Sequence, residues 1–407
     1  MLKKSKRKFN LLLSALSIIL ALLSFACSAS GKQTIAFYGI DEGRVKGLQT
    51  VLGKISADQK IDFEYETYDS SKDLESQIKA KKPHLILTTS GYGVEAAVKS
   101  APAKAEISPD LTADMTLSMR GAVKTDSDSK KIKALPVLSS HFEIDIETNA
   151  IKDSNLAEEL TWHAIESFIK NQKKKTDYPV FFAGKDNDIL LDTLGAMAES
   201  LEGVDSYNQA VSILKAGGKN FDAVKTAALL CDNPDSPLIT SVKMLSSWYK
   251  LGYLHPGTFS FTKNDVDSLA QAKMGKVLFM SLENHRDFSQ NAISRFTTFH
   301  FPSAKKTTAR NFTGKTIYAV PVSKSKTAAQ LVSQLITVEN QELLSRSTGI
   351  APVLKQSRIP DRQADDARFW IASTSAPLAG LSSEIFLTKE QKEKLCAELV
   401  SRIRYSE

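Results

Sequence analysis

From Thr34 onward, short apolar runs alternate with stretches of helical spacing, and that order restricts the chain to a few layered architectures. Residues 34–38 form an apolar run closed by Gly39. Residues 45–55 carry Val45, Leu48, Val51, Leu52 and Ile55 on one helical stripe. Residues 61–68 alternate as a strand through Ile61, Phe63 and Tyr65. Residues 71–81 predict a helix capped by Ser71, with Asp73 and Glu75 in its first turn. Residues 84–89 read as a strand and 92–99 as a helix. This β-α-β-α order predicts an α/β fold with a largely parallel sheet and helices on both faces. Sheets of that kind bind ligands beyond the carboxyl ends of their strands.

The pattern changes near a turn at Asp126-Ser127-Asp128-Ser129, after which residues 130–135 lead to Pro136 and then to residues 142–146. Residues 155–172 are helix-rich, with Glu158, Glu159 and Lys170 on a solvated face. Strands are expected at 178–183, 276–280, 296–301 and 315–320, and helices at 189–200, 240–249, 326–335, 340–347 and 389–402. At 407 residues the chain is long enough for two domains.

Charge excludes one function class. The formal net charge is +7, but Lys3, Lys4, Lys6, Arg7 and Lys8 supply five of the positive charges. Residues 27–407 hold 48 basic against 46 acidic side chains, which leaves no electrostatic footprint for DNA or RNA. The basic start, the apolar run from Leu11 to Ala26 and the small residues before a cut site read as a secretory signal peptide over residues 1–26. Leu23-Ser24-Phe25-Ala26-Cys27 resembles a lipobox, with leucine one place further from the cysteine than usual. Cys27 is therefore the expected lipidation site, and residues 27–32 a lipidated tether. Cys231 and Cys396 read as two separate, partly buried thiols; a pair between them in an oxidising compartment is the alternative.

Catalytic signals are weak. Gly91-Tyr92-Gly93-Val94-Glu95-Ala96 fits a dinucleotide loop but follows the third strand, so it reads as a glycine turn between strand and helix. The histidines at 84, 141, 163, 255, 285 and 300 form no i, i+4 pair, and no metal site is expected. Asp186-Asn187-Asp188 begins like a calcium loop but lacks the glycine and closing glutamate. There is neither a G-x-S-x-G elbow nor a Walker loop. No cofactor is expected, and no motif demands an enzyme.

Several segments, in order, resemble the extracellular solute-binding proteins (family 1, maltose-binding-protein-like) of bacterial ABC importers. Thr34-Ile35-Ala36-Phe37-Tyr38-Gly39 resembles that family's first strand, which ends at the ligand cleft. Ile78-Lys79-Ala80-Lys81-Lys82-Pro83-His84-Leu85-Ile86 resembles its lysine-rich turn and buried strand, and Lys131-Ile132-Lys133-Ala134-Leu135-Pro136 the step before the first crossing between lobes. Glu147-Thr148-Asn149 stands where the family usually has tyrosine-asparagine. Trp248-Tyr249-Lys250-Leu251-Gly252, Gly275-Lys276-Val277-Leu278-Phe279-Met280, residues 315–324 and Ser347-Thr348-Gly349-Ile350-Ala351-Pro352-Val353 are similar to later parts of the family. After Met280 the family often has glycine and a sugar-stacking tryptophan; here Ser281-Leu282-Glu283-Asn284-His285 follow. Phe369-Trp370 resembles a late aromatic pair near the cleft.

The resemblance implies a two-lobe periplasmic-binding-protein-like fold of type II, with the ligand cleft between lobes and crossings near 137–145 and 296–302. The N-lobe would comprise 33–140 and 303–350, the C-lobe 141–302 and 351–407. It implies a non-enzymatic, lipid-anchored component of an ABC importer on the periplasmic side of a membrane, which delivers a carbohydrate-like solute to a permease. A surface lipoprotein retaining the fold for adhesion, or a receptor for a solute such as a polyamine, is the alternative. The candidate ligand-binding residues are Tyr38, Tyr92, His141, Asp186, Asn187, Glu283, Asn284 and Trp370, with Trp162 and Trp248 assigned to the core. Carboxylates and amides would hydrogen-bond hydroxyl groups, and rings would stack on C–H faces.

Overall fold

The computed structural model describes residues 32–405, apart from 103–106, 127–129, 153, 155, 157–159, 304–313 and 375–376. The signal peptide over 1–26, Cys27, all of the tether but Lys32, Ser127–Ser129 of the expected turn, and Glu158 and Glu159 lie outside the described residues.

Two sheets organise the chain. The first contains β1 (Gln33–Tyr38), β2 (Phe63–Thr67), β3 (Leu85–Thr89), β4 (Lys124–Thr125), β5 (Ile132–Ser139), β10 (Thr316–Pro321) and β11 (Ala351–Pro352), in the order β11-β5-β10-β3-β1-β2 with β4 on β5. The second contains β6 (Phe142–Glu147), β7 (Val180–Phe181), β8 (Val277–Ser281) and β9 (Phe296–His300), in the order β7-β8-β6-β9. The helices used below are α1 (Glu42–Gln59), α2 (Tyr92–Ser100), α3 (Asn187–Glu202), α4 (Ile239–Lys250), α5 (Leu282–Asp287), α6 (Arg362–Ala372), α7 (Leu381–Glu384) and α8 (Lys389–Tyr405).

In the first sheet β1, β3 and β10 are buried on both faces, and period-two alternation divides each of them between two clusters. Ile35 and Phe37 of β1, Leu85 and Leu87 of β3 and Ile317 and Ala319 of β10 pack on one face, with Val45, Leu48, Val51, Leu52 and Ile55 of α1. Ala36, Tyr38, Ile86, Tyr318 and Val320 face the other way, onto Val94, Ala96 and Ala97 of α2. The second lobe has its own core, where Trp248 of α4 and Trp162 both meet other aromatic rings.

Three expectations change. The sheets are mixed rather than largely parallel. β1 runs parallel to β2 and β3, whereas β10 is antiparallel to both β3 and β5, and β6 to both β8 and β9. The cause is the crossing: a strand returning from the other lobe enters the first sheet from the opposite end. The expected cap Ser71 yields to Asp73, whose carboxylate accepts the Ser76 N–H at 2.8 Å at the start of the helix Leu74–Lys81. Finally, the stretch after residue 350 is divided between the lobes. Ile350, Val353, Leu354 and, on α6, Ala367 and Ile371 pack in the first-lobe core, while Leu381, Leu387, Leu395, Leu399 and Ile403 pack in the second. Cys231 and Cys396 are buried free thiols, which burial pushes up to about 12.

Candidate functional site

A cleft of about 380 Å³ opens beyond the carboxyl ends of β1 and β3, where open α/β sheets present their loops. The first lobe contributes Tyr38, Asp41, Arg44, Tyr68, Thr89 and Tyr92. The second contributes Asp186, Asp188 and Asp192 at the start of α3, Ser281, Glu283 and Asn284 at the β8–α5 junction, and Ser382, Phe386 and Lys392 around α7 and α8. Lys315 enters from the crossing that precedes β10.

The aromatic wall is held by its own hydroxyls. Tyr92 Oη donates to Asp73 Oδ2 at 2.5 Å and accepts the Leu74 N–H at 3.1 Å; Tyr38 Oη donates to the Lys72 carbonyl at 3.2 Å. With those groups engaged, the rings are left as faces. Tyr92 lies between Tyr38 and Phe386, at centroid distances of 6.3 and 5.3 Å.

Opposite that wall, the cleft is ionic but internally compensated. Lys315 Nζ lies 3.5 Å from Asp188 Oδ2 and 3.8 Å from Asp192 Oδ2, and Lys392 also pairs with Asp188. Burial opposes ionisation of Asp188, but the two lysines more than reverse this and hold it at about 2. Asp192 accepts from Ser382 N at 2.9 Å and Ser382 Oγ at 3.0 Å. Burial pushes its carboxyl up to about 6, with Lys315 opposing and Asp188 adding to the shift. Arg44, only 4% exposed, leaves α1 to pair with Asp287 and donate to the Glu283 carbonyl, so it ties the first lobe to α5.

The Asp192 shift has a sign. Its carboxyl binds a proton more tightly folded than unfolded, so this group lowers stability as pH rises from about 4 to about 6, by up to about 3 kcal/mol. Asp192→Asn is expected to remove that decline. The melting temperature of the variant minus that of the wild type should rise between pH 4 and pH 7, and parallel curves would show that the shift is absent.

Of the candidate residues, the cleft brings together Tyr38, Tyr92, Asp186, Glu283 and Asn284. Asp186 also caps α3 through Asp188 N at 3.0 Å, and Glu283 accepts from Ser140 Oγ. His141, Asn187 and Trp370 do not line it. His141 is fully buried beside the crossing, its ring edge-on to Trp370 at 5.0 Å, because it shares the polar face of β6 rather than the cleft side. Trp370 sits on α6 and packs on His141 and His300. Asn187 is the first residue of α3, one step off the Asp188 face. Sequence reasoning missed Arg44, Asp188, Asp192, Lys315, Phe386 and Lys392. One signal was present: Asp188 and Asp192 stand at i, i+4 in a helix whose other residues from 189 to 198 are mostly apolar.

Two mixed α/β lobes facing one another across a tyrosine-lined polar cleft are the architecture of the extracellular solute-binding proteins, and the chain has that fold. It superposes on the bacterial solute receptor AcbH, described as exclusive for β-D-galactopyranose, with a TM-score of 0.63 at 14% identity, over 91% of this chain and 98% of that one. A putative binding protein MsmE of Bacillus subtilis, in an open conformation, gives 0.66 at 12% identity over 92% and 93%. An extracellular solute-binding protein of Staphylococcus aureus in complex with maltose gives 0.56 at 12% identity over 92% and 97%. No protein-family model and no curated protein matches the sequence. Among the described residues no helix is long and apolar enough to cross a membrane.

Proposed function

We propose that the chain is a solute receptor rather than an enzyme. In this reading it is exported, anchored by lipid on Cys27, and delivers a carbohydrate-like solute to an ABC permease. One observation carries the choice of ligand: at the Asp188–Asp192 pair the carboxylates already have cations, Asp188 with Lys315 and Lys392 and Asp192 with Lys315. A polyamine would have to displace lysines, whereas a neutral polyhydroxyl ligand accepts and donates hydrogen bonds without disturbing the charge balance. The face of Tyr92 beside Phe386 suits the C–H surface of a sugar ring. Catalysis by the Asp188–Asp192 pair is disfavoured, since both Asp192 oxygens accept from Ser382. Within the site we assign ligand contacts to Tyr38, Tyr92, Asp186, Glu283 and Asn284.

A thermal-shift panel of mono- and oligosaccharides, polyamines and amino acids tests this. A sugar at about 100 times its dissociation constant should stabilise the protein by about 2.7 kcal/mol. A shift with polyamines alone would overturn the sugar assignment. Phe386→Ala should weaken the active sugar by about tenfold through loss of stacking, as measured by calorimetry; unchanged affinity would remove Phe386 from the site.

A further inference from the structure

Behind the cleft, Glu143 and Asp145 occupy alternate positions on β6 and share one face, with His141 just before the strand, while Phe142, Ile144 and Ile146 face the core of the second lobe. An alternating strand of this kind ordinarily wets its polar face. Here that face is covered by α5 and α6, and His141, Glu143 and Asp145 are all 0% exposed. His285 of α5 closes the group. Its Nδ1 lies 2.7 Å from Glu143 Oε1 and 3.3 Å from Asp145 Oδ1, and the ligand atoms of Glu143, Asp145 and His285 all fall within 4.8 Å of one another.

The hydrogen bonds around this group are incomplete. Thr298 Oγ1 donates to Asp145 Oδ1 at 2.7 Å, and Gln363 Nε2 lies 2.9 Å from Glu143 Oε1 and 2.6 Å from His285 Nδ1. Among the described residues, Asp145 Oδ2 is buried with no hydrogen-bond partner, whereas Glu143 Oε2 and His141 Nε2, 3.0 Å apart, have only one another. His141 Nδ1 lies 3.2 Å from the Phe142 carbonyl. Glu147, next on the same face, is already matched by Lys276 and Arg295.

The geometry points to a buried divalent transition-metal site, of the Zn²⁺ class, formed by Glu143, Asp145 and His285. One imidazole and two carboxylates are a donor set that Zn²⁺ accepts with a fourth position left open, and a +2 ion balances both acids. His141, with Nε2 3.0 Å from Glu143 Oε2, would orient a ligating carboxylate from outside. Such an ion would pin α5 to β6 beside the crossing between lobes. It is independent of whichever solute enters the cleft.

The test uses the full chain, stripped with a strong chelator and reloaded with Zn²⁺. One equivalent of zinc should survive dialysis and raise the melting temperature, while Mg²⁺ at the same concentration should not. Asp145→Asn, close in shape, should weaken zinc retention by at least about tenfold, and His163→Gln, at an exposed histidine of α-helical residues 162–173, should leave it unchanged. Zinc that fails to bind the wild type, or that D145N retains as fully, overturns the proposal. If D145N does not fold, X-ray absorption on the zinc-loaded wild type decides: a first shell of nitrogen and oxygen at about 2.0–2.1 Å with imidazole scattering supports the site. A sulfur shell, or an imidazole-free shell, overturns it.

Discussion

An alanine at Gly91 is expected to hold the two lobes apart. Gly91 stands before α2 with φ +81° and ψ −137°, a conformation that side chains rarely adopt. A Cβ there would lie 2.2 Å from the Ser383 carbonyl oxygen, which belongs to α7 of the opposite lobe. The obstacle is backbone, so no rotamer change relieves it. Backbone strain of about 1–3 kcal/mol and the steric wedge act together. Lobe closure absorbs part of the binding energy of a cleft ligand, so a wedge at this point should cost at least about tenfold in affinity. Small-angle scattering of Gly91→Ala should show a larger radius of gyration than the wild type. Wild-type dimensions and wild-type affinity together would mean that the Gly91–Ser383 approach does not limit closure.

The second large effect is expected at Lys315. Its ammonium stands between Asp188 and Asp192, and the side chain is 25% exposed, so little solvent is present to replace it. Lys315→Met leaves Asp188 with Lys392 and Asp192 with no cation among the described residues within salt-bridge distance. Removal of one partner from a buried ionic group typically costs about 3 kcal/mol or more. The loss should appear as a lower urea midpoint at pH 8 with an unchanged slope. It should shrink at pH 5, where Asp192 takes up a proton and no longer needs the ammonium. Adding Asp192→Asn should recover at least about 1 kcal/mol at pH 8. Additive losses in the double variant would separate the two residues.

Much of the fold is legible in local patterns. The alternation of Ile35 and Phe37 with Ala36 and Tyr38 marks a strand buried on both sides, and the Val45–Ile55 stripe marks the helix laid on one of them. Local patterns also point at Tyr38 and Tyr92, since both follow buried strands at the edge where loops gather. What they lack is partner identity across long separations. Nothing near Lys315 announces Asp188 or Asp192, more than a hundred residues earlier, and nothing near His141 announces His285. Direction is hidden in the same way. β10 has the composition of any buried strand, and only the crossing of the chain decides that it runs against β3 and β5. Trp370 misleads for a different reason: aromatic character is visible in sequence, but the face of α6 that carries it is set by how Ala367 and Ile371 seat that helix in the first core.

The position of β10 also sets an order of assembly. In the first sheet β3 and β5 are not neighbours; β10 lies between them and pairs with both. When a ribosome has released residues 33–139, the chain therefore holds two unconnected fragments, β1-β2-β3 on one side and β4-β5 on the other. They cannot become one sheet until residue 321 has emerged, with the whole second sheet already synthesised between them. A chain so arranged stays incomplete, and without a finished first core, for most of its synthesis. Under the proposed reading of residues 1–26 as an export signal, this delay would be an advantage, because a late keystone strand keeps the thread loose enough to pass through a membrane pore before it locks.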